Sequence, residues 1–241
     1  MKDIIYYFER DLLRWLRGRL SVFSALVMPA AWLIFVGLAL PTTFTTNYID
    51  FITPGILVLT MLGASLQGGS LLIFDKILGF LNKFLALPAP RESILFGKIC
   101  FITTRGLIQA TVILVLAFIL GASLLPPAGL ALTYGILALF GLLLSAFSTT
   151  VALHLSDHDS YAGFNAIVSM PLFFTSSALM PYDVMPSWLR PFAYANPVSY
   201  AIDSIRALQE GLILWSRIGA LLLLAVVVIA ISVHRFRKVT L

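Results

Sequence analysis

Two histidines and two aspartates in one short polar stretch are the residues best suited to chemistry. His154 and His158 are four residues apart, and Asp157 and Asp159 flank the second histidine. On a continuous helix this spacing places both imidazoles on one face, as in many zinc sites, and His234 offers a third ligand. This pattern raises the hypothesis of a metal-dependent hydrolase at the membrane edge. No glutamate base separates the histidines, and a polar turn at a membrane surface explains the same residues, so we predict no metal site.

The chain contains no P-loop motif for nucleotide binding. No stretch reads Gly-x-x-x-x-Gly-Lys-Ser/Thr, the loop whose backbone amides hold nucleotide phosphates. We therefore expect no ATP hydrolysis of the P-loop kind, no catalytic residues and no cofactor on this chain. The net charge of +5 could indicate nucleic-acid binding, but the cations flank apolar segments as membrane orientation requires, so we predict no nucleic-acid partner.

Composition restricts the fold class. The chain of 241 residues is 60% hydrophobic and 11% charged, whereas soluble domains are about 25% charged. Its apolar runs are continuous and rich in leucine, without the alternation of a membrane barrel. We predict one all-α polytopic membrane domain in the lipid bilayer. The single cysteine, Cys100, excludes an internal disulfide.

Hydropathy and turn signals divide the chain into six transmembrane helices and three other segments. Residues 1–20 predict an amphipathic interfacial helix, 75–93 a cytoplasmic coupling loop, and 181–209 an extracellular re-entrant helical hairpin. The six predicted spans are 21–40, 51–74, 94–122, 128–153, 161–180 and 212–233.

The distribution of Lys and Arg predicts the orientation. With a cytoplasmic N-terminus, twelve cations lie inside, and only Arg190, Arg206 and Arg217 lie outside. We therefore predict cytoplasmic N- and C-termini in the cell membrane. The remaining cation, Arg105, lies within the third span, where we expect its side chain to extend back toward the cytoplasmic interface.

The loop after the second span carries the pattern of a short surface helix. One face holds apolar residues, the other holds Lys76, Gly79 and Lys83, and Pro88 and Pro90 end the helix. A helix this short, held between two spans, must lie at the membrane surface. Lipid contact and partner docking both fit that pattern.

Three separated stretches resemble the type-2 class of ABC transporter permeases. They are YIDFITPG at 48–55, the 75–98 loop with its Pro-x-Pro-Arg-Glu, and MPYDVMPSWLRPFAYANPVSYAIDSIRAL at 180–208. This resemblance implies the permease subunit of an ATP-driven exporter that pairs with an ABC ATPase subunit and a second permease copy or close relative. The shorter N-terminus resembles the branch that exports amphipathic drugs, antibiotics or lipids, and a glycan exporter of the same class is the alternative.

The resemblance also implies roles for particular residues. It assigns an ATPase-docking face to Arg10, Arg14, Arg17, Asp75, Lys76, Gly79, Phe80 and Lys83. It assigns an extracellular gate segment to Pro181, Pro186, Trp188, Asn196, Pro197 and Tyr200.

Polar residues within the spans have a separate interpretation. Asn165, Ser169, Thr175 and Ser176 on the fifth span are candidates for the pathway, although polar side chains also join helices in lipid. Asp203 and Arg206 are three residues apart, which predicts an ion pair on a helix. A secondary transporter is disfavoured because no acidic residue lies near the centre of a predicted span.

Overall fold

A computed structural model of the protein describes residues 2–39, 48–86, 89–123 and 125–238. This part of the chain is helical and contains no β-strand. A 3-10 turn at Tyr182–Val184 lies between the seventh and eighth helices. The α-helices are α1 Lys2–Arg17, α2 Arg19–Ala39, α3 Tyr48–Ile77, α4 Phe80–Leu85, α5 Arg91–Ile119, α6 Pro127–His154, α7 His158–Phe174, α8 Arg190–Ala195, α9 Pro197–Gln209 and α10 Trp215–Arg237.

Among the described residues, five helices are long and apolar enough to cross a membrane. They lie in α2, α3, α5, α6 and α10. The predicted fifth span, 161–180, is divided, because α7 ends at Phe174 and the chain then turns toward α8. With 17 residues, α7 is about 26 Å long, slightly less than the roughly 30 Å thickness of the hydrocarbon core.

The observed bounds differ from the predicted spans where charged residues continue a helix. The helix predicted over 51–74 extends through Lys76 to Ile77, and the one predicted over 94–122 already begins at Arg91. At 30 residues, α3 is about 45 Å long, which exceeds the roughly 30 Å thickness of the hydrocarbon core. Position 40 and the proline at 88 lie outside the described residues.

The bundle is organised around α3, which is buried along most of its length. It packs against α5, α6, α2, α7 and α9. The large core cluster joins α3 to α6 through Met61, Leu62 and Phe140, all below 5% exposure. The central helix α3 therefore contacts most of the other helices in the described part of the bundle.

The two ends of the bundle have different character. We call one the basic end: it holds α1, the end of α3, α4, the start of α5 and the end of α10. The opposite end holds the start of α3, the end of α5, the 3-10 turn, α8 and α9. Only the basic end carries both short amphipathic helices, α1 and α4.

Candidate functional site

Four ionised side chains form a cluster inside the basic end. The Lys98 ammonium lies 2.5 Å from Asp75 and 3.5 Å from Asp11. The Arg10 guanidinium lies 2.5 Å from Asp11 and 3.1 Å from Asp75. Both carboxylates and the lysine are at most 6% exposed. The cluster therefore joins α1, α3 and α5 by charges that are largely shielded from water.

The charges in this cluster balance, two cations against two carboxylates. Burial lowers the pKa of the Arg10 guanidinium, but Asp11 and Asp75 more than offset this and raise that pKa above its usual value. Arg14 extends from α1 to within 3.8 Å of Asp75 and remains mostly exposed. Of the predicted docking residues, Asp75 is thus enclosed and Arg10 half-buried, whereas Arg14 and Arg17 lie on the surface.

A tight turn connects α3 to α4. Gly79 has a φ of 71°, in the left-handed region where a residue without Cβ is favoured. The following turn buries Leu81 and packs Phe84 edge-on against Tyr7 of α1, with ring centroids 5.3 Å apart. The Arg10 guanidinium lies 4.4 Å above the Phe84 ring, so α4 is fixed to the same cluster.

The outer side of this turn is exposed and partly apolar. Ile77 and Leu78 are each more than half exposed, and Phe80 is 39% exposed. The Lys83 ammonium lies 5.5 Å above the Phe80 ring. We call Ile77, Leu78, Phe80 and Lys83 the α4 apex.

Lys76 has a different position from the one predicted. Its ammonium donates to the backbone carbonyls of Leu153 and Leu155, at 3.1 and 2.9 Å. These carbonyls end α6, where an ammonium also interacts favourably with the helix dipole. Lys76 thus joins α3 to α6 and is not part of the α4 apex.

The two histidines do not share a helical face. α6 ends at His154, Leu155 is extended with ψ of 145°, and α7 begins at His158. The His154 Nδ1 lies 3.0 Å from the Thr150 carbonyl, and the His158 ring contacts Phe74. The described residues include no group of three His, Cys, Asp or Glu side chains placed to hold a metal. The spatial premise of the hydrolase hypothesis is therefore wrong.

Asp157 instead begins α7. Its carboxylate accepts hydrogen bonds from the backbone amide and the hydroxyl of Ser160, at 2.7 and 2.8 Å, which lowers the pKa of the carboxyl. Sequence reasoning placed a polar turn here, and the capping contact explains why the turn contains an aspartate.

The opposite end is held together by buried polar contacts. The Asn196 side chain caps α9 by accepting from the Val198 amide, and its Nδ2 donates to the Leu172 carbonyl and the Thr175 hydroxyl of the α7 end. Pro197 occupies the first turn of α9. Pro181 and Pro186 flank the 3-10 turn, Trp188 is 69% exposed, and Tyr200 packs against the core.

Asp203 and Arg206 have different partners, so their predicted pairing is wrong. Asp203 forms an ion pair with Arg217 and accepts hydrogen bonds from Ser177 and Tyr182. Burial, followed by this contact with Asp203, raises the pKa of Tyr182. The Arg206 guanidinium donates to the carbonyls of Phe51, Ser177 and Ala178, and so joins α9 to the start of α3.

A cavity of about 370 Å³ lies between α2, α3, α5 and α7, and we call it the mid-bundle cavity. Its lining is mostly apolar, with Trp32 edge-on to Phe173, and Ser169 is the predicted pathway residue that contributes to it. Thr175 and Ser176 bond instead to backbone carbonyls at the end of α7, and the buried Asn165 Oδ1 has no described partner.

Sequence reasoning missed several residues that contribute to these sites. Gln67 and Gln109 line the mid-bundle cavity, and Asp11 and Lys98 belong to the ionic cluster. The two glutamines could have been identified from the sequence, because a side-chain amide within a long apolar segment needs a hydrogen-bond partner.

Together the fold and these sites define a helical membrane protein with a polar network at each end and a cavity between its spans. A family model described as ABC-2 type transporter matches residues 2–209. The chain belongs to the ABC-2 type transporter family and is a transmembrane ABC transporter permease.

Curated relatives cover most of the chain. The transport permease ycf38 of Cyanophora paradoxa is 34% identical over 217 residues, which is 87% of this chain and 75% of the relative. The doxorubicin resistance ABC transporter permease protein DrrC of Mycobacterium tuberculosis is 28% identical, over 84% of this chain and 75% of the relative. Nodulation protein J of Rhizobium leguminosarum bv. viciae is 23% identical, over 84% of this chain and 80% of the relative.

Proposed function

We propose that this chain is the permease subunit of an ABC exporter for an amphipathic substrate, powered by a separate ATPase subunit that binds ATP and Mg²⁺. The observation that carries the proposal is the α4 apex, an exposed turn at the end of the central helix of a family member. Monomeric surfaces rarely leave such apolar groups together without a partner.

Coupling through the α4 apex has a mechanical basis in these contacts. Leu81 and Phe84 fix α4 to α1, and the ionic cluster fixes α1 to α3 and α5. Force applied by the ATPase at Phe80 would therefore be transmitted to the central helix and not absorbed by a loose loop. Arg14 and Arg17, exposed on α1, extend the proposed docking face.

The substrate class follows from the mid-bundle cavity. Its walls include Trp32, Phe173, Met28 and Met170, with polar groups from Ser169, Gln67 and Gln109. An apolar cavity with a few polar groups suits an amphipathic molecule. The doxorubicin resistance named for one relative supports a drug-like substrate, and we extend that class to this chain here.

We further propose six spans, with α7 and residues 175–180 as the fifth and the basic end in the cytoplasm. The 3-10 turn, α8 and α9 would then be a re-entrant hairpin that closes the outer end. Several large apolar side chains of α2 are exposed beside the open cavity, among them Phe23, Met28 and Phe35. A second permease copy or close relative against this helix would complete the pathway.

The docking proposal is tested by co-purification with the ATPase subunit from native membranes in mild detergent. Phe80→Glu combined with Lys83→Glu is expected to reduce ATPase recovery at least tenfold, because both side chains are exposed and neither supports the core. Lys238→Glu is the matched control at the same end and should retain the ATPase. Full recovery with the double variant would place docking elsewhere. A parent chain that brings down no ATPase would overturn the proposed function.

A further inference from the structure

Arg105 is a cation buried within a membrane-spanning helix. It lies in α5, its residue is 7% exposed, and its Nη2 donates to the Gln67 side chain at 3.2 Å. Its Nε is buried without a hydrogen-bond partner. Among the described residues no carboxylate lies within ion-pair distance of Arg105.

An unpaired charge at this depth is costly, and such residues normally have a partner. Arg105 lines a second cavity of about 340 Å³ between α1, α3 and α5, at the basic end. We call it the interfacial cavity. Its volume falls within the range of about 300–1,000 Å³ typical of ligand sites. Arg105, whose Nε has no hydrogen-bond partner, thus lines a space large enough to hold a ligand group.

The electrostatics of the interfacial cavity favour an anion. Five charged side chains line it: Asp11, Arg14, Asp75, Lys98 and Arg105. Arg10 and Lys98 neutralise the two carboxylates at distances of 3.5 Å or less. Arg14 also lies 3.8 Å from Asp75, so with Arg105 four cations face two carboxylates, and the site carries an excess of two positive charges. Repulsion by Asp11 and Asp75 is small because each is already paired with a cation.

Apart from Ser21 of α2, the other walls of the cavity are apolar. Trp15, Leu71, Phe74 and Phe101 line it, and Phe74 is 42% exposed, so one side is open. A small inorganic anion would leave these walls in contact with water. An anion attached to a hydrocarbon chain would cover them.

We propose that the interfacial cavity binds an anionic phospholipid, with the headgroup phosphate between Arg105 and Arg14 and the upper acyl chain along Phe74 and Phe101. Guanidinium groups bind phosphate through paired, charge-assisted hydrogen bonds, which would satisfy the Arg105 Nε. The source of the ligand is the bilayer leaflet on which α1 lies, because exposed arginines of α1 and its successor concentrate anionic lipid there. The exposed members of that group are Arg14, Arg17 and Arg19.

Trp15 provides a direct probe, because it lines the cavity and is 8% exposed. The chain has four tryptophans, so replacing Trp32, Trp188 and Trp215 with Phe leaves Trp15 as the reporter. This parent is reconstituted in phosphatidylcholine vesicles containing increasing fractions of dibrominated phosphatidylglycerol or dibrominated phosphatidylcholine. Bromine quenches tryptophan on contact, and lipid that merely surrounds the protein quenches equally in both series.

We expect dibrominated phosphatidylglycerol to quench Trp15 at lower mole fractions than dibrominated phosphatidylcholine. Arg105→Gln should weaken that preference about fivefold or more, since one cation beside an anionic lipid supplies roughly this factor. Arg105→Lys should retain part of the preference for dibrominated phosphatidylglycerol, because the positive charge is kept. The control Arg235→Gln removes an exposed cation of α10 that neither lines the cavity nor belongs to the arginine group of α1 and α2, and it should leave the preference unchanged.

Three outcomes would overturn the proposal. The first is equal quenching of Trp15 by the two brominated lipids in the parent. This measurement does not depend on whether Arg105→Gln folds. An unchanged preference in a folded Arg105→Gln variant would remove Arg105 from the site. Reversal of the preference by soluble glycerol phosphate would show that the site binds a free phosphate compound and not a lipid.

Discussion

At the scale of single residues, the buried ionic cluster makes a strong prediction for Asp75. Asp75→Asn leaves the Lys98 ammonium and the Arg10 guanidinium sharing only Asp11, inside a region with little water. Removing one partner of a buried ion pair costs about 3–5 kcal/mol, because the remaining charge is uncompensated. We expect a lower midpoint of thermal unfolding for the purified chain in detergent, followed by loss of monodisperse protein on size exclusion.

Two further variants distinguish the effect of the uncompensated buried charge from a general effect of losing a carboxylate. Asp159→Asn changes an exposed aspartate and should leave the midpoint unchanged. Asp75→Asn combined with Lys98→Met should be more stable than Asp75→Asn alone, because Asp11 then pairs with Arg10. A double variant no more stable than the single one would contradict the assigned pairing.

The ionic cluster also shows which residues of a site cannot be predicted from the sequence. Arg10 and Arg14 of α1 lie beside Asp75 at the end of α3, and the role of the α1 arginines in ATPase docking stays a prediction. Lys98 lies 87 positions from Asp11, and no local pattern links them. One signal was available: Tyr7, Asp11 and Trp15 recur every four residues, and all three are buried. The apolar stripe that residues 1–20 show in the sequence runs through Ile5, Phe8, Leu12, Trp15, Leu16 and Leu20. It included the buried Trp15 but also the exposed Ile5, Leu16 and Leu20, and it left out Asp11 because it counted apolar residues only.

At the scale of helices, the packing of α3 against α6 and α7 depends on a close approach at Gly69. A methyl group at this position would lie 2.7 Å from the Ser148 carbonyl oxygen and would overlap the Tyr161 hydroxyl. Backbone and a buried ring cannot both move without separating the helices, so we expect Gly69→Ala to destabilise the chain by about 1–3 kcal/mol. The measurement is the thermal midpoint in detergent.

Gly63 on the same helix is the matched control. A methyl group there has no atom within 4 Å, so Gly63→Ala should be neutral or slightly stabilising. Equal losses for the two variants would indicate that glycine matters for the flexibility of α3 and not for its packing.

Helix positions were largely predictable because long apolar runs have few alternatives in lipid. The helices at 51–74, 94–122, 128–153 and 212–233 were placed within a few residues of the observed ones. The end of α7 was not, since Ser177 and Asn196 turn that segment toward α9 through contacts about 20 residues apart in the chain. Hydropathy reports burial in lipid and carries no information about such long-range bonds.

At the scale of the whole molecule, the distribution of cations predicts the orientation in the membrane. The opposite end carries Arg190, Arg206 and Arg217, and the last two make buried or ion-pair contacts within the fold. The basic end carries its arginines and lysines on α1, α4 and the end of α10, largely at the surface. The basic end should therefore face the cytoplasm, because cations next to spans are retained on that side.

Cysteine labelling tests this orientation, and the single native cysteine makes the background simple. In a Cys100→Ser chain, Lys238→Cys reports on the basic end and Asp183→Cys on the opposite end, both at exposed positions outside the α4 apex. A membrane-impermeant maleimide added to intact cells should label Asp183→Cys and leave Lys238→Cys unlabelled. Lysis should make both reactive, and the Cys100→Ser parent should remain unlabelled throughout. The reverse pattern in intact cells would invert the topology and place the α4 apex away from any cytoplasmic ATPase, so this labelling decides whether the proposed coupling is geometrically available.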